Sequence, residues 1–180
     1  RASSGKKTVV VNQSCWSLST DDYLEVADND LLDFGASDSL TALVVLRRWV
    51  TLAGNARYVS KRATVGYTIT ASGGSTAIET NINDGTWKGP VTQTLDLGVL
   101  GVAALVRDIA GGNIHGYLNG SLRSSPDASP GSLASSTVLR VGAEGGGSLY
   151  ADGEIYAVYI FRKALTAAEI AAGVRYWNAA

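Results

Sequence analysis

Two segments of this sequence carry side chains whose types and spacing could do chemistry. The first is an acidic block over residues 21–38, which contains seven carboxylates and no base. Within it, Asp21, Asp22, Asp28 and Asp30 could supply carboxylate oxygens to a calcium ion, which takes about six to eight oxygen ligands. Because Asp is also common in turns and at strand ends, the block predicts either a calcium site or a series of turns.

The second segment is a short polar loop that ends in a tryptophan. Asn81, Asn83 and Asp84 precede Trp87, and the stretch 83–86 is typical of a loop. An exposed aromatic ring offers a flat apolar surface to a sugar, while amides and acids bond to its hydroxyls. These four residues are therefore the candidate glycan-binding site. The alternative is that Trp87 packs over the edge of a sheet.

Catalytic patterns are weaker than these binding patterns. A glycosidase needs two carboxylates that flank the scissile bond, and the Glu-x-Asp-x-Glu triplet that would place acids on one strand face is absent. A lyase could combine His115 with Tyr117 and Arg107, although a histidine close to an Asn-Gly turn is more typical of a hairpin. Cys15 is expected to be a small buried hydrophobe. We therefore predict no catalysis, with a carbohydrate-active enzyme (glycosidase or lyase) as the alternative.

Composition limits the classes of protein to which the chain can belong. It has 180 residues, 46% of them hydrophobic, a net charge of −1, one His and one Cys. This is enough apolar material for one domain. The sequence offers no basic face for nucleic acid, no zinc ligand set and no membrane-spanning run. Since the sequence lacks Met and starts at Arg1, we expect a processed or excised polypeptide. Residues 1–20 are predicted to form a basic arm and first strand, and residues 21–180 a single domain.

The elements that must position these side chains are mostly short strands separated by turn signals. Leu40–Leu46 is too apolar for strict alternation, so it should be buried on both faces. Asn119-Gly120 predicts a tight hairpin. The predicted strands are Thr8–Val11, Tyr23–Val26, Ser39–Trp49, Arg57–Lys61, Gly66–Thr70, Ala77–Asn83, Gln93–Leu97, Gly101–Arg107, Ile114–Leu118, Thr137–Val141 and Glu154–Phe161.

A single helix is predicted near the C-terminal end. Thr166 and Glu169 form a capping box, and Leu165 with Ile170 forms the accompanying hydrophobic staple. Many strands and one capped helix predict an all-β fold, a two-sheet antiparallel jelly-roll sandwich with one short C-terminal helix.

Several aromatic residues are expected to shape the core. We expect core or helix-docking positions for Trp16, Trp49 and Trp177. We expect positions that alternate with core residues for Tyr58, Tyr67 and Tyr156.

Four motifs in order carry a family resemblance. They are Asp21–Val26 with Leu32-Asp33-Phe34, Ile114–Gly120, Leu139–Gly142, and Asp152–Ile155 with Phe161–Ile170. Their order and spacing resemble those of laminin-G-like, concanavalin A-like jelly-roll domains over about residues 20–177. Many members carry an acidic pair where this chain has Tyr156 and Ala157. The resemblance implies the sandwich fold, and lectin-like sandwiches often carry a calcium ion; no other cofactor is expected.

The Ala- and Gly-rich style of the sequence resembles that of such domains in tail and other virion proteins of actinobacterial phages. This resemblance implies a non-catalytic interaction domain at a virion or extracellular surface, tail or capsid-associated. Its expected partners are host surface glycan and other virion subunits, with which it is oligomeric in the particle; nucleic acid and membrane insertion are not expected. A purely structural decoration protein is the remaining alternative.

Overall fold

The computed structural model describes residues 8–9, 15–19, 21–52, 54–125, 131–144 and 148–178. Two antiparallel sheets and one C-terminal helix confirm the predicted fold class. Most of the predicted arm, residues 1–7 and 10–14, lies outside the described residues. No helix in the described ranges is long and apolar enough to span a membrane.

The described strands form two sheets, and the chain crosses between them several times. The seven-stranded sheet has the order β1-β2-β13-β4-β9-β10-β11, and the six-stranded sheet has the order β3-β12-β5-β6-β7-β8. The strands are β1 (Thr8–Val9), β2 (Trp16–Leu18), β3 (Leu24–Val26), β4 (Leu40–Arg47), β5 (Arg57–Arg62), β6 (Gly66–Ala71), β7 (Ala77–Asn83), β8 (Trp87–Thr94), β9 (Leu100–Asp108), β10 (Asn113–Leu118), β11 (Ser121–Ser125), β12 (Leu139–Val141) and β13 (Gly153–Phe161). A 3₁₀ turn covers Asp30–Leu32, and helix α1 covers Ala167–Asn178.

Strand β4 is buried on both faces, as its apolar sequence predicts. Val44 points between the sheets into the main core, while Leu43 and Val45 point outward. The outward pair is covered by Ile170 and Val174 of α1. The strand therefore has no solvent-facing side over most of its length, which is why its sequence does not alternate.

The predicted signals for the helix and the hairpin are confirmed. The Glu169 carboxylate accepts from the Thr166 amide at 2.8 Å, and the Glu169 amide donates to the Thr166 hydroxyl at 3.3 Å. Hydrogen bonds from Lys163 and Thr166 lower the pKa of Glu169 to about 2. Asn119 and Gly120 take positive φ values of 51° and 81° in the turn between β10 and β11.

Three strands differ from the sequence prediction. β2 and β11 were not predicted, and β8 covers Trp87–Thr94 instead of 93–97. β8 contains Gly89-Pro90, a pair that normally marks a loop, but it is an edge strand with an irregularity between the pairs Thr80–Val91 and Ile82–Lys88. Proline is tolerated there because an edge strand has one side without ladder hydrogen bonds.

The aromatic residues are also distributed differently. Trp16 and Trp49 are 41% and 46% exposed, so the prediction of core positions is wrong for both. Trp177 packs against the outer core cluster and docks the helix. Tyr58 and Tyr67 are fully buried in the core itself. Burial raises the pKa of Tyr58 to about 12.

The connections between the sheets lie at two ends of the sandwich. Thr41 of β4 is opposite Phe161, whereas Arg47 is opposite Glu154 and Leu100. The crossover loops before β4 and before β12 therefore share one end, called here the Lys61 end. The loops 48–56, 95–99 and 142–152 share the other, called here the Trp49 end.

A fully buried lysine ammonium holds the Lys61 end together. Lys61 Nζ donates to the carboxylates of Asp28 and Asp33, both at 2.8 Å. It also donates to the carbonyls of Ser135 at 2.7 Å and Thr137 at 3.1 Å. A buried charge is tolerated only when paired and fully hydrogen-bonded, so the two crossover loops must close around this side chain.

A fully buried arginine of β9 forms hydrogen bonds with the same two loops. The Arg107 guanidinium donates to the carbonyls of Gly35 at 2.9 Å, Ala36 at 3.2 Å and Gly131 at 2.6 Å. Burial lowers the pKa of Arg107. Two cations thus bind backbone oxygens of loops whose described residues contribute no regular ladder to either sheet.

Replacing Lys61 by Met should strongly destabilise the fold. The apolar side chain keeps most of the volume, but Asp28 and Asp33 lose their ion pair and the Ser135 and Thr137 carbonyls lose their donor. A shielded polar group left without a partner costs about 1–3 kcal/mol. Urea unfolding measures the loss. Lys88→Met is the control, because the half-buried Lys88 forms no ion pair with a described residue. Equal stability of the two variants would contradict this account of Lys61.

Stability should also fall in acid because of Asp33. Burial alone would raise the pKa of this carboxyl, but hydrogen bonds from Lys61 and the Ser135 amide hold it below its ordinary 3.8. Its contribution is therefore complete above the unfolded-state pKa and is lost as pH falls through the lower folded-state pKa. Urea unfolding between about pH 5 and pH 2 should show this loss. The slope should be smaller in Asp33→Asn and unchanged in the exposed Asp96→Asn.

Candidate functional site

The four acids of the candidate calcium site have separate structural roles. Asp22 is buried and accepts from the amide of Ser19 at 3.1 Å and from its hydroxyl at 2.8 Å. Asp21 is exposed with a positive φ of 80°. Asp28 pairs with Lys61, and Asp30 is an exposed residue of the 3₁₀ turn.

These acids are not brought together around one point. In the described part of the chain, no three Asp, Glu, His or Cys side chains lie close enough to hold a metal ion. The cation nearest to this arrangement is the Lys61 ammonium, which occupies a cage of two carboxylates and two carbonyls. Asp33, which completes the cage, was not among the predicted ligands.

The residues of the candidate glycan site lie on β7, in the turn to β8 and at the first residue of β8. Asn83 is directly opposite Trp87, and alternation along β7 puts Asn81 on the same face. Asp84 is engaged elsewhere, since its carboxylate accepts from the Thr86 hydroxyl at 3.0 Å and from the Gly131 amide at 3.1 Å. The structure therefore assembles three of the four predicted residues on one surface.

That surface is the outer face of the six-stranded sheet, called here the polar face. Tyr67 and Ile69 of β6 point into the core. Because successive side chains of a strand point to opposite faces, Thr68 and Thr70 point outward. Cross-strand neighbours share a face, which extends this polar face through the pairs Ser60–Thr68 and Thr68–Asn81. Trp87 lies at its rim, 44% exposed.

Three neighbouring side-chain oxygens on the polar face have no hydrogen-bond partner among the described residues. They are the Ser60 and Thr68 hydroxyls and the Asn81 amide oxygen, each fully shielded from solvent. The amide nitrogen of Asn81 only approaches the Thr70 hydroxyl, at 3.5 Å. Buried polar groups without partners cost about 1–3 kcal/mol each, so this row favours an ordered water or a polar ligand group beside it.

An ion cluster centred on Glu144 covers part of the polar face. Its carboxylate accepts from Arg62 and lies 3.5 Å from Nε of Arg57, while its backbone carbonyl accepts from Arg140 at 3.1 Å. Arg140 also donates to Glu25 at 3.0 Å. Burial lowers the pKa of Arg57, although Glu144 opposes this shift.

Arg62 links this ion cluster to the exposed tryptophan. Its guanidinium carbon lies 4.8 Å from the centre of the Trp87 ring, within the distance of a cation–π contact. Because Glu144 orients Arg62 and Arg62 contacts Trp87, the ring is supported from beneath. An exposed aromatic ring offers a flat apolar surface on which a ligand can stack.

The three residues of the possible lyase site are not assembled. His115 is opposite Val106 on the helix-covered face of the seven-stranded sheet, with its ring 6.3 Å from that of Tyr117. Arg107 follows Val106 in the strand and therefore points to the other side, where it binds backbone carbonyls. Its guanidinium cannot act beside His115.

The sequence contained a usable signal for part of the polar face but not for all of it. The alternation Gly66-Tyr67-Thr68-Ile69-Thr70 already separates an apolar side from a hydroxyl side. Arg62 and Glu144 are 82 residues apart, and no local pattern connects them. Their contact depends on the tertiary structure, which places β5 next to the loop after β12.

Comparison with known families identifies the sandwich. A family model described as the concanavalin A-like lectin/glucanases superfamily, of laminin G type, matches residues 18–171. No match was found among curated proteins.

Solved structures with the same fold include binding domains of clostridial toxins. The binding domain of botulinum neurotoxin serotype D has a TM-score of 0.75 and 15% identity, covering 98% of this chain and 46% of its own. The binding domain of Paraclostridial Mosquitocidal Protein 1 has a TM-score of 0.73 and 11% identity, with 91% and 43% covered. A structure of botulinum neurotoxin type C, for which cell entry depends on two ganglioside molecules, has a TM-score of 0.74 and 15% identity, with 98% and 46% covered. The chain thus spans less than half the length of these proteins, and identities this low show the fold alone.

Replacing Glu144 by Gln should loosen the polar face. The substitution removes the charge that orients Arg62 and Arg57, and hydrogen bonds to charged groups contribute about 1.5–3 kcal/mol each. We expect a lower free energy of unfolding and a change in Trp87 fluorescence. Glu79→Gln is the control on the same face, because Glu79 forms no direct ion pair with a described residue. A fluorescence change of the same size in both variants would contradict the proposed support of Trp87.

Proposed function

The chain belongs to the concanavalin A-like lectin/glucanases superfamily, and from this premise we propose that it is a non-catalytic domain that binds surface glycan through its polar face. The observation that carries the proposal is the exposed Trp87 ring beside a row of unpaired oxygens on one sheet face. The ring supplies stacking, and the amide and hydroxyl groups supply hydrogen-bond partners for sugar hydroxyls.

The charge on the polar face favours a neutral ligand. It carries three arginines and three glutamates, which balance one another. The arginines are Arg57, Arg62 and Arg140, and the glutamates are Glu25, Glu79 and Glu144. A nucleic acid needs an excess of basic side chains to displace its counterions, and this surface has none. A polyhydroxylated neutral sugar has no such requirement.

The row of unpaired oxygens supports the same ligand class. Ser60 and Thr68 can each donate or accept, while the Asn81 oxygen accepts. Because all three are shielded from solvent, a sugar reaches them through ordered water or after the side chains of the ion cluster shift. Water-mediated contacts are nearly as favourable as direct hydrogen bonds.

The acids of the polar face are poorly placed for glycosidase chemistry. Such an enzyme needs a protonated carboxyl and an ionised one on either side of the bond. Glu144 is held by Arg62 and Arg57, and Glu25 is held by Arg140. Both carboxylates are committed to arginine partners, which supports a binding role without catalysis.

Binding of a surface receptor is also the role named for proteins of similar fold. The type C botulinum neurotoxin enters cells through interaction with two ganglioside molecules. For the present chain we propose a glycan on a host surface, bound by a domain of a phage tail or capsid-associated protein at the virion surface. Other virion subunits would then be its neighbours in the particle, and the arm in residues 1–14 would dock on one of them.

A screen of glycans and cell-wall polysaccharides tests the binding proposal. We expect the wild-type chain to bind a neutral glycan and Trp87→Ala to lose at least about tenfold in affinity, which is 1.4 kcal/mol. Trp49→Ala is the matched control, because the two rings are 46% and 44% exposed and lie at different ends of the fold. A parallel screen with a calcium chelator tests whether an ion takes part.

Other results of these experiments would contradict parts of the proposal. Equal losses in Trp87→Ala and Trp49→Ala would exclude the polar face as the specific site. Absence of binding to every glycan would favour the structural decoration role, in which the domain contacts only neighbouring subunits. Particle association that survives deletion of residues 1–14 would exclude the docking role of the arm.

A further inference from the structure

The Trp49 end of the sandwich contains a pocket separate from the polar face. It lies between the loop that joins β4 to β5 and the loop that joins β12 to β13, and its volume is about 190 Å³. Its walls are almost entirely apolar, with a single carboxylate. The lining residues include Leu52, Ala56, Leu149, Tyr150, Ala151 and Asp152.

The carboxylate of the pocket has no partner within the described ranges. Asp152 is half-buried, and no described residue forms a hydrogen bond or ion pair with its side chain. Burial raises its pKa, and no nearby cation opposes the shift. This differs from Asp28, Asp33, Glu25 and Glu144, which are paired with lysine or arginine. A carboxylate left alone in an apolar recess is complementary to a cation that arrives from outside.

Exposed apolar side chains surround this end of the fold. Trp49 and Val50 are 46% and 42% exposed, and Leu97 and Val99 are 40% and 47% exposed. The loops that carry them are held together, since the Gly98 amide donates to the Arg48 carbonyl at 2.7 Å. Clustered exposed apolar side chains are typical of a protein contact surface, so the ligand of the pocket is expected to be part of a polypeptide.

The size of the pocket limits what can enter it. The volume of the pocket is about 190 Å³. A pocket for a drug-sized molecule is larger, at about 300–1,000 Å³, and its apolar walls offer few partners to a sugar. One long side chain with a cationic tip matches both the volume and the chemistry.

We propose that the Asp152 pocket binds the side chain of a lysine presented by a partner polypeptide. The methylene groups of the lysine would pack on Leu52, Ala56 and Leu149, and its ammonium would pair with the Asp152 carboxylate. The Tyr150 ring in the pocket wall adds an aromatic surface close to the cation. The proposal concerns a different surface from the glycan site and does not depend on it.

The test uses two small probes on the whole chain. Nα-acetyl-lysine methylamide and Nα-acetyl-norleucine methylamide share the aliphatic side chain, but only the first has an ammonium. We expect saturable NMR shift changes at residues 149–152 with the lysine probe, and at least tenfold weaker binding of the norleucine probe.

Three variants separate charge, packing and folding effects. Asp152→Asn should reduce lysine binding at least tenfold and leave norleucine binding unchanged. Leu149→Ala removes an exposed wall residue and should weaken both probes by a similar factor. Asp96→Asn, which neutralises an exposed acid outside the pocket, should change neither. NMR spectra that remain dispersed show that each variant is folded.

The proposal is overturned by any of three results. The first is absence of saturable lysine binding to the wild-type chain. The second is equal affinity for the two probes, which would make the pocket a purely apolar one. The third is an equal effect of Asp152→Asn and Asp96→Asn, which would reduce the interaction to overall charge.

Discussion

The structure depends above all on the burial of two cations at one end of the sandwich. Lys61 and Arg107 are fully buried, and each is surrounded by oxygens of the crossover loops before β4 and before β12. The described residues of these loops have no regular strand partner. The hydrogen bonds to the cations therefore replace a ladder, and the cations in turn tolerate burial only because these oxygens surround them.

This arrangement has consequences for the sheet that carries the polar face. β3 and β12 lie at one side of the six-stranded sheet, and both adjoin loops that bind Lys61. Their pairing brings Glu25 beside Arg140, and Arg140 beside the carbonyl of Glu144. The ion cluster that supports Trp87 therefore follows from the closure of the loops. A domain without the lysine would be expected to lose order on this face as well as stability.

The two proposed binding surfaces differ in the way the fold treats charge. On the polar face, arginines and glutamates neutralise one another, and hydroxyl and amide oxygens have no partner in the part of the chain that the structure describes. At the Trp49 end, apolar side chains are exposed and one carboxylate has no described partner. The first environment suits a neutral hydroxylated ligand, and the second suits a cationic side chain on a protein. A rigid sandwich can present both, since they lie on different surfaces.

The amino-acid sequence by itself determined the local features of this protein. Strand alternation, the doubly buried β4, the Asn119-Gly120 hairpin and the capping box of Thr166 and Glu169 were all predictable, and the four family motifs gave the fold class. Each of these features depends on residues close together in the chain or on their periodicity. Asn81, Asn83 and Trp87 lie on one surface because they are close in the chain, on β7 and at the start of its hairpin partner β8.

Only the tertiary structure decided which distant residues meet. Lys61 is 33 residues from Asp28, Arg62 is 82 residues from Glu144, and Arg140 is 115 residues from Glu25. An acidic block looks the same in sequence whether its partner is a metal ion or a buried lysine, and the partner is chosen by strand order and register. For the same reason, the burial of Tyr67 and the exposure of Trp49 could not be read locally, because each depends on what the neighbouring sheet and loops cover.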